Sequence, residues 1–482
     1  MLIASNTNII NSLVARERAA GELVFVEKDD NAAIARLREQ ADKHDPSTHE
    51  GRRLEVYLLL QNSTALWQLQ TLGLPIDLQG RVDLVATTIE DLIAKTIFVK
   101  LPNLSYPYPS LDHKPISRDS DCTIHLVLVG MNCQSATLAI NAALVAHYPN
   151  YCRDTRLRTR ITIIDDDIHA TRDTFIQRYC HLFDNSYYRM IDLTDKSPSS
   201  LVHRPMYAGK RKDFVDVEWE FINGKLSNSA IRQKLTEWSV SPRQQLTIAI
   251  CHDDENRCYT EAMSLPESIY KHGIPVLCHS EQSDLLSLLS DGSGQRKIYP
   301  YGSQCANLDV LKKLKQMGQC VNAVYHHCFS LPPGAQITAP AMIDKESLEL
   351  LWREVSPLPK VYSNIFNAMT MGTKMHSIGH DPSDWSAYYA LSRDEIEVLT
   401  EVEHNRWSVE ELILGYRPVT DDEQQQVEND ISQKKALRSA KIHYDLRCYD
   451  DLRADITGKN ANVYDMALTQ SIPLIIKTCI SD

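Results

Sequence analysis

The turn after residue 129 has the position and part of the composition of a phosphate-binding turn. It follows the apolar run 124–129 and reads Gly130-Met131-Asn132-Cys133-Gln134-Ser135. Such a turn needs glycine because the backbone must bend tightly and approach a pyrophosphate without a Cβ in the way. Gly130 keeps the first glycine of the G-x-G-x-x-G pattern, whereas Asn132 and Ser135 stand in place of the second and third. The turn therefore indicates either a binding loop with a weakened pyrophosphate contact or a degenerate structural loop.

An acidic residue follows at the point where a dinucleotide-binding fold would hold a ribose. The next apolar run, 161–164, ends at Asp165. In such folds a carboxylate at this place accepts hydrogen bonds from the ribose hydroxyls. Gly130, Asn132, Ser135 and Asp165 are therefore candidates to line a pocket for an adenine nucleotide or dinucleotide. The alternative is that the aspartates at 165–167 cap the next helix and face water.

A second set of candidates lies near the C-terminus, on a predicted amphipathic helix that begins near residue 392 and ends near residue 415, and in the segment that follows it. In a small cleft, Trp407 or Tyr449 would stack on a base, and Arg406 or Arg447 would pair with a phosphate. The alternative is that the large aromatic residues of this helix pack in the core. The candidate ligand-binding residues in this region are His404, Arg406, Trp407, Tyr416, Arg447 and Tyr449.

The sequence contains none of the motifs that mark common catalytic or metal sites. It has no G-x-S-x-G elbow, no Walker loop and no H-E-x-x-H pair. The run His326-His327-Cys328 lacks a second ligand pair at metal-site spacing. The run His252-Asp253-Asp254-Glu255 lies where a strand is predicted to end, so it either forms a carboxylate site or is a solvated loop. We therefore predict no catalytic residue and no metal ligand.

Bulk composition is that of a cytoplasmic protein. The chain has 482 residues, too many for one ordinary core, and a formal net charge of −12. This charge argues against direct DNA or RNA binding, because phosphate contact favours a basic face. The 12 cysteines form no C-x-x-C pair, which is typical of reduced thiols in the cytosol. No signal peptide and no membrane span is predicted.

Short apolar runs separated by helical lengths predict an α/β fold with two tandem Rossmann-like parallel-sheet domains, followed by an all-α domain. In the second sheet, the alternation from Val215 to Phe221 suggests an antiparallel strand or hairpin arm with one face in water. The predicted organisation is a degenerate N-terminal Rossmann-like domain at 1–101, a linker at 102–120, a second Rossmann-like domain at 121–330, a helical connector at 331–390 and the all-α domain at 391–482.

The C-terminal pattern resembles the ryanodine receptor repeat (RyR) domain. The resemblance is carried by Glu403-His404-Asn405-Arg406-Trp407, by Gly415-Tyr416, and by the segment 441–452 with His443, Leu446, Tyr449 and Leu452. The two preceding domains together are similar to the TrkA-N-type nucleotide-binding domains of potassium transport systems. In bacterial proteins such domains can precede an RyR repeat.

The resemblance implies a non-enzymatic, ligand-sensing regulatory protein. Its ligand would be a nucleotide-derived small molecule, and it would act as a homo-oligomer or through a protein partner. Two roles stay open, transport regulation and an effector or receptor in antiviral defence. The alternative function is an NAD(P)- or nucleotide-dependent enzyme that uses the second Rossmann-like domain.

Overall fold

A computed structural model shows two parallel-sheet α/β units followed by a helical C-terminal region. The structure describes residues 1–5, 10–44, 51–105, 107–193, 199–205, 207, 211–281, 296–332, 335–353, 358–381, 384, 390–453 and 462–480. The predicted fold class is confirmed.

The first unit is a four-stranded parallel sheet with the order β2-β1-β3-β4. Its strands are short aliphatic runs, and most residues of β1, β3 and β4 are buried because helices cover the sheet. The predicted start of the first helix, at 7–9, lies outside the described residues. The elements are β1 (Leu2–Ser5), α1 (Asn11–Ala19), β2 (Val24–Glu27), α2 (Asp30–Lys43), β3 (Leu54–Leu60), α3 (Ser63–Leu72), β4 (Val82–Thr88) and α4 (Ile89–Phe98).

The second unit is an eight-stranded sheet with the order β12-β11-β10-β5-β6-β9-β7-β8. Without the pair β7–β8, this is the 3-2-1-4-5-6 order of a Rossmann fold, whose switch point lies between β5 and β10. Its elements are β5 (Thr123–Val129), α5 (Cys133–Val145), α6 (Asn150–Arg153), β6 (Thr159–Asp165), α7 (His169–Arg178), α8 (Cys180–Asn185), β7 (Tyr187–Asp192), β8 (Ser199–His203), β9 (Val217–Asn223), α9 (Ser229–Val240), β10 (Gln244–Ile250), α10 (Glu255–Met263), α11 (Glu267–Lys271), β11 (Val276–His279) and β12 (Ile298–Tyr301).

The interpretation of residues 215–221 as an antiparallel arm was wrong. Strand β9 runs parallel to both of its neighbours, β6 and β7, inside the sheet. Two of its alternating acids are paired with partly exposed bases: Arg160 Nε lies 2.6 Å from Glu218, and Lys234 Nζ lies 3.7 Å from Glu220. In the sequence, a strand whose acids pair with bases therefore shows the same polar–apolar alternation as a strand with one face in water. The antiparallel pair of this sheet is β7–β8.

The helical region begins with a long helix that leaves the second sheet. Capping boxes start two of its helices, one at Ser392 with Glu395 and one at Thr420 with Glu423, and the first agrees with the helix start expected near residue 392. Its elements are α12 (Leu308–Ser330), α13 (Lys345–Arg353), α14 (Leu358–Met369), α15 (Met371–Ser377), α16 (Arg393–Ile413), β13 (Arg417–Pro418), α17 (Asp421–Asn429), α18 (Gln433–Ser439), β14 (Ile442–His443), α19 (Tyr449–Arg453) and α20 (Asn462–Ile480).

The three parts pack against one another closely. Helix α4 of the first unit lies on α5 of the second, and α12 packs on α14 and α20. Lys315 on α12 pairs with Glu55 at 2.6 Å and with Asp83 at 2.5 Å in the first unit. Trp67 Nε1 of α3 donates to the Ile413 carbonyl at 3.1 Å. Across the described ranges, none of the helices has the length and apolarity needed to cross a membrane.

Candidate functional site

The side chain of His252 packs against the turn at Gly130. Gly130 has a φ of +95°, which favours glycine. A Cβ at this residue would lie 2.7 Å from Nδ1 of His252, which follows β10. His252 Nε2 in turn lies 2.8 Å from the Glu261 carboxylate. The glycine therefore makes room for an imidazole of the same chain, in a turn that its positive φ also favours.

The other residues of the predicted dinucleotide pocket bind the protein's own backbone and side chains. Asp165 accepts from the backbone N–H of Met131 at 2.7 Å and from that of Asp167 at 2.8 Å. Asn132 and Ser135 form a capping box that starts α5. The Asn132 amide also donates to Asp253 at 2.8 Å. The structure thus brings Gly130, Asn132, Ser135 and Asp165 together, as a hydrogen-bonded turn.

Most of the C-terminal candidates meet in one polar aromatic cluster. The His404 ring lies 5.6 Å from Trp407 and 5.9 Å from Tyr449. Its Nε2 is 2.8 Å from the Arg447 carbonyl, and its Nδ1 is 3.3 Å from an Asp465 oxygen. Tyr416 joins through His443, with ring centroids 6.0 Å apart, and His443 lies 4.8 Å from Trp407.

Arg447 sits at the edge of this cluster. Its guanidinium lies over the ring of Tyr444, 3.9 Å from the centroid. Its Nε and Nη2 atoms are buried and have no hydrogen-bond partner among the described residues. The Nε and Nη2 groups of Arg447 thus donate no hydrogen bond to any residue that the structure describes.

Arg406 lies apart from the cluster, in a buried group of four charges. Its Nε and Nη2 donate to Glu403 at 2.7 to 3.1 Å, and its Nη1 donates to Glu410. Lys374 of α15 also donates to Glu403. All four side chains are at most 2% exposed. This placement gives Arg406 a packing role between α15 and α16 and leaves it no route to a ligand phosphate.

A cleft of about 310 Å³ separates the second unit from the helical region next to Tyr449. We call it the interunit cleft. The second unit contributes Tyr151, Cys152, Thr155, Tyr187, Arg211, Lys212 and Asp213, and the helical region contributes Glu401, Asn405, Cys448, Tyr449 and Asp450. Of the candidates from the sequence, Tyr449 lines this cleft. Its volume is at the lower end of the range of about 300–1,000 Å³ for small-molecule sites.

Ion pairs connect the two walls of the interunit cleft. Lys212 Nζ lies 2.7 Å from Asp450, and Arg211 pairs with Asp421 of α17. Burial raises the pKa of the Glu401 carboxyl. The Tyr187 hydroxyl donates to Asp213 at 3.2 Å. The lining therefore combines aromatic side chains, carboxyl groups and paired cations from both walls.

Sequence reasoning missed the whole wall that the second unit contributes. Tyr151, Tyr187 and Asp213 carry no motif, and only the basic run Lys210-Arg211-Lys212 gives a signal in the sequence. The structure also shows no group of three or more metal-binding side chains in the part of the chain that it describes.

No family model, no curated protein and no solved structure matches this chain.

Proposed function

We propose that this chain is a ligand-sensing regulatory protein that binds a nucleotide-derived small molecule in the interunit cleft. The observation that carries the proposal is that the cleft joins two separately folded walls, each with an aromatic side chain, Tyr187 on one and Tyr449 on the other. Aromatic faces stack on bases with little regard to sequence.

The position of the cleft supports a sensing role. A ligand held by both walls favours the arrangement in which the walls are at the bound distance, so binding shifts the population of that state. The pairs Lys212–Asp450 and Arg211–Asp421 link the second unit to the helical region, and because they are largely exposed they contribute little resistance to a change in the distance between the walls. Ligand binding would then change the oligomeric state of the protein or its affinity for a protein partner.

The alternative function, an NAD(P)- or nucleotide-dependent enzyme, has less support. It would need a backbone that a pyrophosphate can approach, and Asn132 stands at the position where the pattern has the glycine that allows this approach. It would also need the Asp165 carboxylate for a ribose, whereas two backbone N–H groups already use that carboxylate.

Calorimetric titration with adenosine, AMP, ATP, ADP-ribose and NAD tests the proposal. We expect heat of binding from at least one of these, and a loss of about tenfold in affinity in Tyr449→Leu, because stacking on an aromatic ring contributes about 1–3 kcal/mol per base. Leu keeps the apolar volume of a side chain that is 6% exposed. Tyr464→Leu is the matched control, since Tyr464 is an aromatic residue of the same region that does not line the cleft.

Light scattering with and without the compound that binds measures whether binding changes the oligomeric state. No heat from any of the five compounds, or equal binding by wild type and Tyr449→Leu, would refute the proposal.

A further inference from the structure

Strand β8 leaves one edge of the second sheet open. It is the last strand in the order of that sheet, and its ladder partner is β7. An edge strand presents a row of backbone N–H and C=O groups with which another strand can pair. Within the part of the chain that the structure describes, the backbone of Ser199–His203 makes no hydrogen bond outside its ladder with β7. Four of its five residues are exposed.

The other sheet edges of this protein are protected against pairing, and β8 is not. Strand β12, at the opposite edge of the same sheet, contains Pro300, which has no N–H for a ladder. In the first sheet, the Tyr362 hydroxyl covers the edge of β4, 2.8 Å from both the N and the O atom of Ala86. Strand β2 carries Glu27, which pairs with Arg36. Strand β8 contains neither a proline nor an Asp, Glu, Lys or Arg residue.

The side chains of β8 favour a strand as the occupant of this edge. Leu201 is 61% exposed and Val202 is 53% exposed. Because they are consecutive residues of a strand, they point to opposite faces of the sheet. A strand added at the edge would lie beside both side chains and would also bond the backbone groups. A helix or a small molecule on one face of the sheet would reach only one of the two side chains.

The strand that fits best is β8 of a second copy. In an antiparallel ladder, residues that point their backbone groups towards the partner lie opposite residues that do the same. Centring a two-fold axis on Leu201 meets this condition and pairs all five residues of each strand. Ser199 then lies opposite the partner's His203. Ser200 lies opposite the partner's Val202, and Leu201 lies opposite the partner's Leu201. The pairing places no like charges opposite each other, although each chain has a net charge of −12.

We propose that two copies of this chain associate through β8, as an antiparallel pair of edge strands that joins their two eight-stranded sheets. Closed two-fold dimers of this kind are the commonest homo-oligomers. The inference goes beyond the proposed function, because the pairing needs no ligand. Five residues on each copy are fewer than the roughly 20–30 residues of a standard interface. The dimer is therefore weak, and its population depends on the protein concentration.

Sedimentation velocity of the full chain, over a series of micromolar concentrations and without ligand, tests the inference. We expect the wild-type protein to shift from monomer to dimer as its concentration rises. Leu201→Lys would place two lysines opposite each other, and the dimer should weaken about tenfold. Val240→Lys is the matched control. It adds the same charge at a residue that is 55% exposed, at the end of α9, which packs on β10 and α11. This variant should associate like the wild type.

A charge swap tests the position of the two-fold axis. Leu201→Glu alone should also weaken the dimer, whereas an equimolar mixture of Leu201→Lys and Leu201→Glu should restore it, because opposite charges then face each other. Loss of the dimer in each variant and its recovery in the mixture support the proposal. A wild-type protein that stays monomeric throughout the series, wild-type association of Leu201→Lys, equal weakening in Val240→Lys, or no recovery in the mixture overturns it. None of these results bears on the calorimetric test of the proposed function.

Discussion

Replacing Arg406 with Ala should destabilise the protein severely, because it would leave two buried carboxylates without their main partner. Arg406 is fully buried and uses three nitrogens on Glu403 and Glu410. Lys374 would remain on Glu403 alone. Removing one partner of a buried ion pair costs about 3–5 kcal/mol, and the fourfold group here places the expected loss in that range.

The pH dependence of this loss has a definite sign. Burial by itself would raise the pKa of Glu403, but the charges of Arg406 and Lys374 outweigh it and lower that pKa to about 2. A carboxylate whose folded pKa is depressed contributes stability above its unfolded pKa of about 4.3, and the contribution is lost as pH falls towards the folded value. The gap between wild type and Arg406→Ala should therefore be widest at neutral pH and should narrow between about pH 4.3 and 2.

Denaturant unfolding followed by circular dichroism measures the effect. Arg156→Ala is the control, since Arg156 pairs with Asp154 but is 87% exposed, and exposed pairs contribute little. A quadruple variant that replaces Lys374, Glu403, Arg406 and Glu410 with apolar residues of similar volume should recover most of the stability. If Arg406→Ala unfolds at the same denaturant concentration as Arg156→Ala, the reasoning about the buried group is refuted.

Two further substitutions test the interior of the fold. Burial and the nearby Glu410 raise the pKa of Glu411 to about 8. The folded state therefore binds more protons than the unfolded state between about pH 4.3 and 8, and stability should fall as pH rises through that window. Glu411→Gln should flatten this slope in thermal unfolding, whereas Glu397→Gln, at an exposed residue, should not. Gly130→Ala should lower the thermal midpoint by more than Gly80→Ala. Both residues have a positive φ, which costs roughly 1–2 kcal/mol for alanine. At Gly130 the added Cβ would also lie within 4 Å of the His252 side chain, whereas at Gly80 it would meet no atom within that distance. Equal slopes or equal midpoints would contradict these two expectations.

The two sheets could be predicted because their strands are buried on both faces. The runs at 54–60, 124–129 and 246–250 are almost wholly apolar, and each is a strand in the structure. Residues 215–221 misled the prediction because acids that pair with bases of neighbouring elements gave that strand the alternation of an antiparallel hairpin arm, although it lies parallel between two strands. Periodicity reports polarity, and it does not report whether a polar side chain meets water or a counter-charge.

The candidate site was predictable only in part. Tyr449 was selected from the C-terminal pattern and lines the interunit cleft. Arg406, taken from the same pattern, turned out to be enclosed by Glu403 and Glu410 at helical spacings of three and four residues. Those spacings are visible in the sequence, and they could have indicated an internal ion group.

The local elements follow from short stretches of sequence, because helix capping and turn conformation depend on residues that are close along the chain. The start of α16 at Ser392 and the tight turn before α5 are of this kind. Which surfaces face each other depends on the packing of the whole chain. Tyr151 and Tyr187 are separated from Tyr449 by more than two hundred residues, and they share a cleft because the helical region packs on the second sheet unit. Packing of distant segments follows from the shape and charge of whole surfaces, which no local pattern encodes.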